Sequence, residues 1–194
     1  MKLDPKVVAE LAIPFRPTAY LRVMPKAHAA TPLGMGFGQT RFAAPDNSFR
    51  LVYIARNLAT SIAETVVRDR FEGKVKRILD VTEIDDWAVA EVSATDPLTV
   101  IDLRTTGLLK LGISTDAARA KRQDTGRRLS KALYDRFAVD GVLYSSRLTS
   151  AECVAVYDRA VTAKLRSTKA VSLSRHRQLV DALKSINVSV LGIA

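Results

Sequence analysis

The apolar residues of this chain are gathered in short runs, and that spacing constrains its fold more than any other feature. Runs rich in β-branched and aromatic residues predict strands. They lie at residues 19–24, 49–55, 75–81, 87–93, 98–103, 142–145 and 153–157. Few helical patterns separate them, so the chain lacks the regular alternation of strand and helix that builds a doubly wound parallel sheet.

The helical patterns themselves are few. Apolar residues at three- and four-residue spacing predict one helix from residue 58 to about residue 71 and another over residues 123–138. The tail adds a short helix near residues 174–183 and a final apolar run at residues 186–191. We therefore predict one α+β domain over residues 1–194, with a strongly bent or split mixed sheet and flanking helices.

The chain is strongly basic, with 30 Lys and Arg against 20 Asp and Glu and a net charge of +10. Such a surface attracts nucleic acid, an acidic protein or a phosphorylated small molecule. The cations concentrate in residues 119–136 and 164–177, but few aromatic residues lie among them to stack on bases, and no compact helical triplet predicts a helix-turn-helix. Direct nucleic-acid binding is therefore disfavoured, and a basic nucleic-acid-binding module stays open as an alternative.

Targeting and redox features predict a cytoplasmic protein without a metal. The N-terminal residues carry Asp4 and Glu10 without an uninterrupted apolar core, and no apolar run reaches membrane-spanning length. Cys153 is the single cysteine, so no intramolecular disulfide is expected. His28 and His176 are far apart in sequence and match no zinc-binding spacing, so no metal site is expected either.

The stretch TPLGMGFGQTRF, residues 31–42, places three glycines within five positions. No Lys-Ser or Lys-Thr pair follows, which excludes a Walker loop, and Gln39 stands where a dinucleotide fingerprint needs its third glycine. A plain flexible connection is one interpretation, because glycine tolerates positive φ angles. Arg41, just before Phe42, is the feature that suggests a binding loop.

The predicted helix after the N-cap residue Asn57 carries two different faces. An apolar face holds Leu58, Ile62 and Val66, and another face holds Thr60, Glu64 and Arg68. By spacing alone, Glu64 is an exposed carboxylate paired with Arg68.

Other polar residues carry little weight by themselves. Ser146 follows a predicted strand, but no Gly-x-Ser-x-Gly elbow surrounds it, so a hydrolase triad is not supported. Arg22, Arg41 and Tyr53 lie on or beside predicted strands, where an outward arginine or tyrosine is common.

Taken together, these segments resemble the RES-domain family, named for its arginine, glutamate and serine. The stretch TRFAAPDNSFRLVYIARNLATSIAETVVRD, residues 40–69, is similar to the central signature of the family. Arg22 in AYLRVMP stands where the family has its first strand arginine. The stretch DGVLYSSRLTSAECVAVYDRA, residues 140–160, resembles the serine-bearing strand, and IDLRTTGLLKLGI, residues 101–113, resembles the middle connection.

The resemblance covers about residues 18–160 and leaves a basic C-terminal extension, residues 161–194. It implies an ADP-ribosyltransferase-like fold and the toxin of a type II toxin–antitoxin system. Such a toxin depletes its substrate NAD by cleaving the nicotinamide–ribose bond, by hydrolysis or phosphorolysis. Transfer of ADP-ribose to a protein target is the alternative activity. The implied partner is an antitoxin, typically with an Xre-like helix-turn-helix domain.

The resemblance also implies a role for each matching residue. Glu64 would stabilise the positive charge that develops on the ribose, and Arg22 and Arg41 would bind the pyrophosphate. Tyr53 would offer a flat face to nicotinamide, and Ser146 would position the substrate through a hydrogen bond. Glu64, Arg22 and Ser146 are thus the implied catalytic residues, and the glycine-rich stretch is a mobile loop that delivers Arg41 to the mouth of the site.

Overall fold

Most strands of the protein join one mixed sheet in the computed structural model, which describes residues 1–68, 70–115, 117 and 122–192. The strands are β1 (Ala12–Phe15), β2 (Tyr20–Pro25), β3 (Leu51–Ala55), β4 (Ile78–Asp80), β5 (Trp87–Ala94), β6 (Leu98–Asp102), β7 (Gly141–Ser145), β8 (Glu152–Tyr157), β9 (Leu165–Ser167), β10 (Val171–Ser172) and β11 (Ser189–Leu191). The helices are α1 (Pro5–Leu11), α2 (Leu58–Ile62), α3 (Val81–Asp85), α4 (Gly107–Lys110), α5 (Asp124–Arg136), α6 (Asp158–Lys164) and α7 (Leu179–Ser185).

The large sheet is nearly divided in two at one junction. Its strand order is β1-β6-β7-β8-β3-β2-β5-β10, with β9 also pairing on β5, and β4 and β11 form a separate parallel pair. Strands β6 and β7 are parallel, whereas the other neighbours in the large sheet are antiparallel. All six residues of β2 pair with β5, but β2 and β3 share only the pair Leu21 and Ala55. The prediction of an α+β fold with a bent or split mixed sheet is confirmed.

Separate apolar clusters cover the two halves of this sheet. In one cluster α1 and α5 pack against β3, β6, β7 and β8, and in another α2, α3 and α7 pack against β2 and β5. A third cluster combines residues of β3, β5, β6, β7 and β8 with α6. Strand β8 is therefore buried on both faces, which explains why Cys153–Tyr157 in its sequence is a continuous apolar run.

The first predicted helix is shorter than its apolar pattern indicates. The α-helical turn ends at Ile62, a wider π-helical turn spans Ala63–Val67, and Arg68 leaves helical geometry with a φ of 32°. The predicted strand at residues 75–81 is reduced to β4. Its last residue, Asp80, starts α3 through a reciprocal capping box with Glu83.

The basic C-terminal extension, which begins at residue 161, packs with the rest of the fold. Strands β9 and β10 extend the large sheet by pairing with β5, and α7 packs in the cluster that contains α2. Within the described residues, no helix is both long and apolar enough to cross a membrane.

Candidate functional site

A cleft of about 260 Å³ lies where β2 and β3 separate, and it brings together most of the residues singled out by sequence. Its lining includes Arg22 from β2, Tyr53 from β3, Arg41 from the loop before β3 and Glu64 from the π-helical turn. Ser146, just after β7, is absent from the lining but is hydrogen-bonded to Glu64. The split in the sheet thus assembles five residues that are far apart in sequence.

The position of Glu64 follows from how α2 begins and ends. The Asn57 side chain accepts a hydrogen bond from the Thr60 amide at 2.9 Å, as predicted for an N-cap. The Ser61 hydroxyl then accepts one from the Val23 amide at 2.8 Å, which attaches the helix to β2. After Ile62 the turn widens, and π-helical turns of this kind recur at functional sites.

The surface ion pair suggested by spacing alone does not form. No salt bridge joins Glu64 to Arg68 in the part of the chain that the structure describes, because the backbone turns away from helical geometry at Arg68. The Glu64 carboxylate instead accepts a hydrogen bond from the Ser146 hydroxyl at 2.6 Å. Glu64 is therefore held from a different element of the fold.

Ser146 is hydrogen-bonded to Glu64 and does not line the cleft. Its side chain is buried, and its hydroxyl oxygen accepts hydrogen bonds from the amides of Leu148 at 3.1 Å and Thr149 at 3.2 Å. The only proton of the hydroxyl goes to Glu64, so its hydrogen-bonding capacity is fully used. The Thr149 hydroxyl also bonds the Thr60 hydroxyl at 2.8 Å, which closes the turn onto α2.

Tyr53 fixes the chain on both sides of Arg41. Its hydroxyl lies 2.8 Å from the Thr40 hydroxyl and accepts a hydrogen bond from the Phe42 amide at 3.1 Å. Burial raises the pKa of Tyr53 to about 12, so the phenol stays neutral near pH 7. Burial also lowers the pKa of Arg41, while nearby Tyr144 and Glu64 act in the opposite direction.

Arg22 holds the other end of the glycine-rich loop. Its guanidinium donates to the carbonyl oxygens of Pro32 at 2.7 Å and Gly34 at 2.8 Å. Burial lowers the pKa of Arg22 to about 10. The loop is thus anchored by Arg22 at its start and by Tyr53 at its end. Between them Gly36 has open surroundings, and a methyl group at Gly38 would meet only the Thr40 side chain, at 3.9 Å.

Sequence reasoning missed Gly126, which lies in the first turns of α5. A methyl group at this position would come within 2.6 Å of the Arg41 carbonyl oxygen and 2.5 Å of the Ala117 carbonyl oxygen. Glycine is required here because two backbone segments approach the helix closely. The sequence did contain a signal, a glycine inside the predicted helix 123–138. Glycine weakens a helix, so its presence there indicates that close packing requires it.

The cations along α5 are largely engaged by the protein itself. Lys131 pairs with Asp46 and Asp135, and Arg127 donates to the carbonyl oxygens of Ala43 and Ala44. Arg119 and Lys121, which belong to the same basic run of the sequence, lie outside the described residues. Among the residues that are described, no group of three or more His, Cys, Asp or Glu side chains is arranged to hold a metal ion.

Comparison with known proteins gives related findings at three levels. A family model described as the RES domain matches residues 19–178. The curated protein "Probable toxin y4kH" of Sinorhizobium fredii (strain NBRC 101917 / NGR234) is 37% identical over 84 residues, which is 43% of this chain. That alignment spans 66% of the relative, just under two thirds of its length.

A solved structure has a similar fold over most of its length. It is a chain in the crystal structure of the M. tuberculosis MbcT-MbcA toxin-antitoxin complex, with a TM-score of 0.65 and 18% identity. The similarity covers 88% of this chain and 93% of the other. At this identity the likeness concerns the fold.

Proposed function

The chain belongs to the RES domain family and has an ADP-ribosyltransferase-like fold, and from that premise we propose that it is a toxin that depletes NAD. It cleaves the bond between nicotinamide and ribose. The observation that carries the proposal is the fixed carboxylate of Glu64, which shares one cleft with Arg22, Arg41 and Tyr53.

Glu64 suits this reaction because of the charge that develops as the bond breaks. Nicotinamide leaves with the bonding electron pair as a neutral molecule, and positive charge accumulates on the ribose as in glycoside cleavage. A carboxylate held in advance near that ring stabilises the transition state without reorganising. Water or phosphate then bonds to the same ribose carbon and releases its proton to solvent.

The two arginines supply binding sites for the pyrophosphate. Arg41 lines the cleft from the loop, and its guanidinium offers paired donors that match phosphate oxygens. Arg22 donates two of its N–H groups to the carbonyl oxygens of Pro32 and Gly34. Its remaining N–H groups are oriented for phosphate only while the loop keeps this position. Arg22 thus combines a binding role with control of the loop position.

Ser146 and Tyr53 act as positioning residues in this account. Ser146 directs Glu64, since its hydroxyl has no further hydrogen-bonding capacity for a substrate. Tyr53 sets Thr40 and Phe42, the neighbours of Arg41, and its ring lines the cleft where nicotinamide would stack.

Product analysis of NAD incubated with the purified protein tests the proposal. We expect free nicotinamide from the unmodified protein and from Glu91→Gln, an exposed control outside the cleft, but none from Glu64→Gln. ADP-ribose as the second product indicates hydrolysis, and its phosphorylated form in the presence of phosphate indicates phosphorolysis. Intact NAD in every sample contradicts NAD depletion.

Labelled NAD with cell extract then separates the remaining alternatives. Label incorporated into protein would indicate an ADP-ribosyltransferase acting on a protein target. Salt-dependent nucleic-acid binding without NAD turnover would indicate a silent basic module. The engagement of Lys131 and Arg127 within the fold argues against the latter.

We also propose a cytoplasmic antitoxin partner, with an Xre-like helix-turn-helix domain. The proposal is supported by the similar fold of a chain in the MbcT-MbcA toxin-antitoxin complex. The net charge of +10 suits a partner that presents acidic groups. Co-expression with the adjacent gene product should give a stable complex on size-exclusion chromatography, and separate elution would contradict the pairing.

A further inference from the structure

A second and larger cleft, of about 890 Å³, lies along a different face of α2 and its π-helical turn. We call it the basic cleft and define it by four lining cations, Arg68, Lys74, Arg77 and Arg147. Its volume is in the range of small-molecule binding sites. None of the proposed chemistry at the β2/β3 junction uses it.

The lining of the basic cleft combines positive charge with an apolar wall. Among the residues that the structure describes, its lining holds four cations and one carboxylate, Glu72. Its apolar residues include Ala63, Val67 and Ile186. Leu148 adds an exposed apolar side chain, 38% accessible to solvent. Such a surface fits a ligand with negative charge at one end and a flat or apolar group at the other.

Two of the cations have donors left for a ligand. Lys74 and Arg77 are exposed, and neither forms an ion pair with a carboxylate within the described part of the chain. Arg77 makes one long hydrogen bond, 3.4 Å, to the Ile186 carbonyl oxygen, which occupies a single N–H group. Both side chains are therefore available to charged oxygen atoms.

From this chemistry we propose that the basic cleft binds a nucleotide. Its phosphates lie against Lys74 and Arg77, and its base lies against the apolar wall. The site is separate from the cleft that holds Glu64, and its existence does not depend on NAD cleavage.

The basic cleft adjoins the support of Glu64. Leu148 and Thr149 line it, and the same two residues donate their amides to the Ser146 hydroxyl that holds Glu64. Arg68 lines both clefts. A nucleotide bound here lies beside the turn that fixes Glu64.

Calorimetric titration with ADP tests the proposal. Because ADP also has phosphates for the first cleft, the titration uses protein carrying Arg41→Ala as its background. In this background we expect ADP to bind still, and the added pair Lys74→Ala and Arg77→Ala to weaken binding at least about tenfold, the effect of losing charged hydrogen bonds. Lys76→Ala, an exposed lysine between them that does not line the cleft, is the matched control and should leave the affinity unchanged.

Three results would overturn the proposal. One is ADP affinity that the paired change leaves intact, and another is ADP binding abolished by Arg41→Ala alone. The third is inorganic pyrophosphate or a glutamate-rich peptide binding as tightly as ADP, because the apolar wall would then contribute nothing to recognising a base. Adding the Lys74, Arg77 or Lys76 substitutions should leave the melting temperature of the Arg41→Ala protein unchanged, as expected for exposed side chains, and this confirms that each protein is folded.

Discussion

Two buried hydroxyl groups determine where the charged side chains of the first cleft lie. Ser146 connects the turn after β7 to Glu64, and Tyr53 connects β3 to the residues beside Arg41. Neither hydroxyl needs to touch substrate to matter for the reaction. Each is therefore testable by a substitution that removes only the hydroxyl oxygen.

Ser146→Ala removes the hydrogen bond to Glu64 and leaves two backbone amides without their acceptor. We expect the free energy of unfolding to fall by about 1–3 kcal/mol per amide left unsatisfied. We also expect kcat for nicotinamide release to fall about 100-fold through misplacement of Glu64, with little change in KM. Steady-state kinetics and denaturant unfolding measure both.

Ser145→Ala, one residue earlier and outside the cleft lining, is the control for that substitution. It should change neither kcat nor stability appreciably. If Ser146→Ala lowers the free energy of unfolding but leaves kcat at the value of the control, the hydroxyl stabilises the turn and does not position Glu64 for the reaction.

Tyr53→Phe keeps the ring but loses the bonds to Thr40 and Phe42. Because those residues flank Arg41, we expect the KM for NAD to rise about fivefold, equivalent to the roughly 1 kcal/mol of one net hydrogen bond. The kinetic constants of the two proteins provide the measurement. An unchanged KM would mean that Tyr53 contributes its ring alone.

Among the helices, α5 sets the position of the glycine-rich loop at Arg41, because Gly126 lies close to the Arg41 carbonyl oxygen. Gly126→Ala would place a methyl group 2.6 Å from the Arg41 carbonyl oxygen, so the loop or the helix must shift. We expect a loss of about 1–3 kcal/mol in unfolding free energy from overpacking, outweighing the gain of about 1 kcal/mol in helix propensity. The KM for NAD should rise with it.

Gly36→Ala is the comparison for that change, because a methyl group there meets no atom within 4 Å and the residue has no positive φ. Stability should be unchanged in this variant. A Gly126→Ala protein that melts at or above the temperature of the unmodified protein would show that α5 and the loop are not in tight contact.

The strands and longer helices were predictable because their apolar residues follow a single period. β2, β3, β5 and β8 match their predicted runs closely, and α5 matches its predicted helix. The shape of the turn after Ile62 was not predictable from the sequence. An α-helical and a π-helical turn can be built from the same residues, and the choice depends on contacts with distant segments, such as the bond from the Val23 amide to the Ser61 hydroxyl.

The tail was the least predictable region for a related reason. β9 and β10 are short and pair with β5, whose own sequence does not indicate how many partners it has. The grouping of Glu64, Arg41 and Ser146 came from the family resemblance, and spacing alone favoured a surface pair of Glu64 with Arg68. Only the separation of β2 from β3 explains physically why these residues meet.

Across the whole fold, the burial of tyrosine phenols makes the free energy of unfolding decrease at alkaline pH. Burial raises the pKa of every tyrosine in the chain, namely Tyr20, Tyr53, Tyr134, Tyr144 and Tyr157. A phenol titrates near pH 10 in the unfolded chain, whereas that of Tyr53 titrates at about 12 in the folded protein. The stabilisation is complete below pH 10 and is lost as the pH rises towards 12.

We therefore expect tyrosinate absorbance and loss of circular dichroism to appear together in one transition between about pH 10 and pH 12. Both signals are followed during the same base titration. Five tyrosines that ionise near pH 10 while the circular dichroism stays constant would show that the phenols are accessible to solvent.

The whole molecule is arranged around the separation of β2 from β3, and we propose that NAD binds in the cleft there. A crystal structure of Glu64→Gln with NAD tests this proposal most directly. The amide at position 64 still accepts the Ser146 hydrogen bond, so the cleft should keep its shape while cleavage is blocked. We predict the pyrophosphate at Arg41 and the nicotinamide ribose within hydrogen-bonding distance of residue 64. NAD bound in the basic cleft, with the cleft between β2 and β3 empty, would contradict the account.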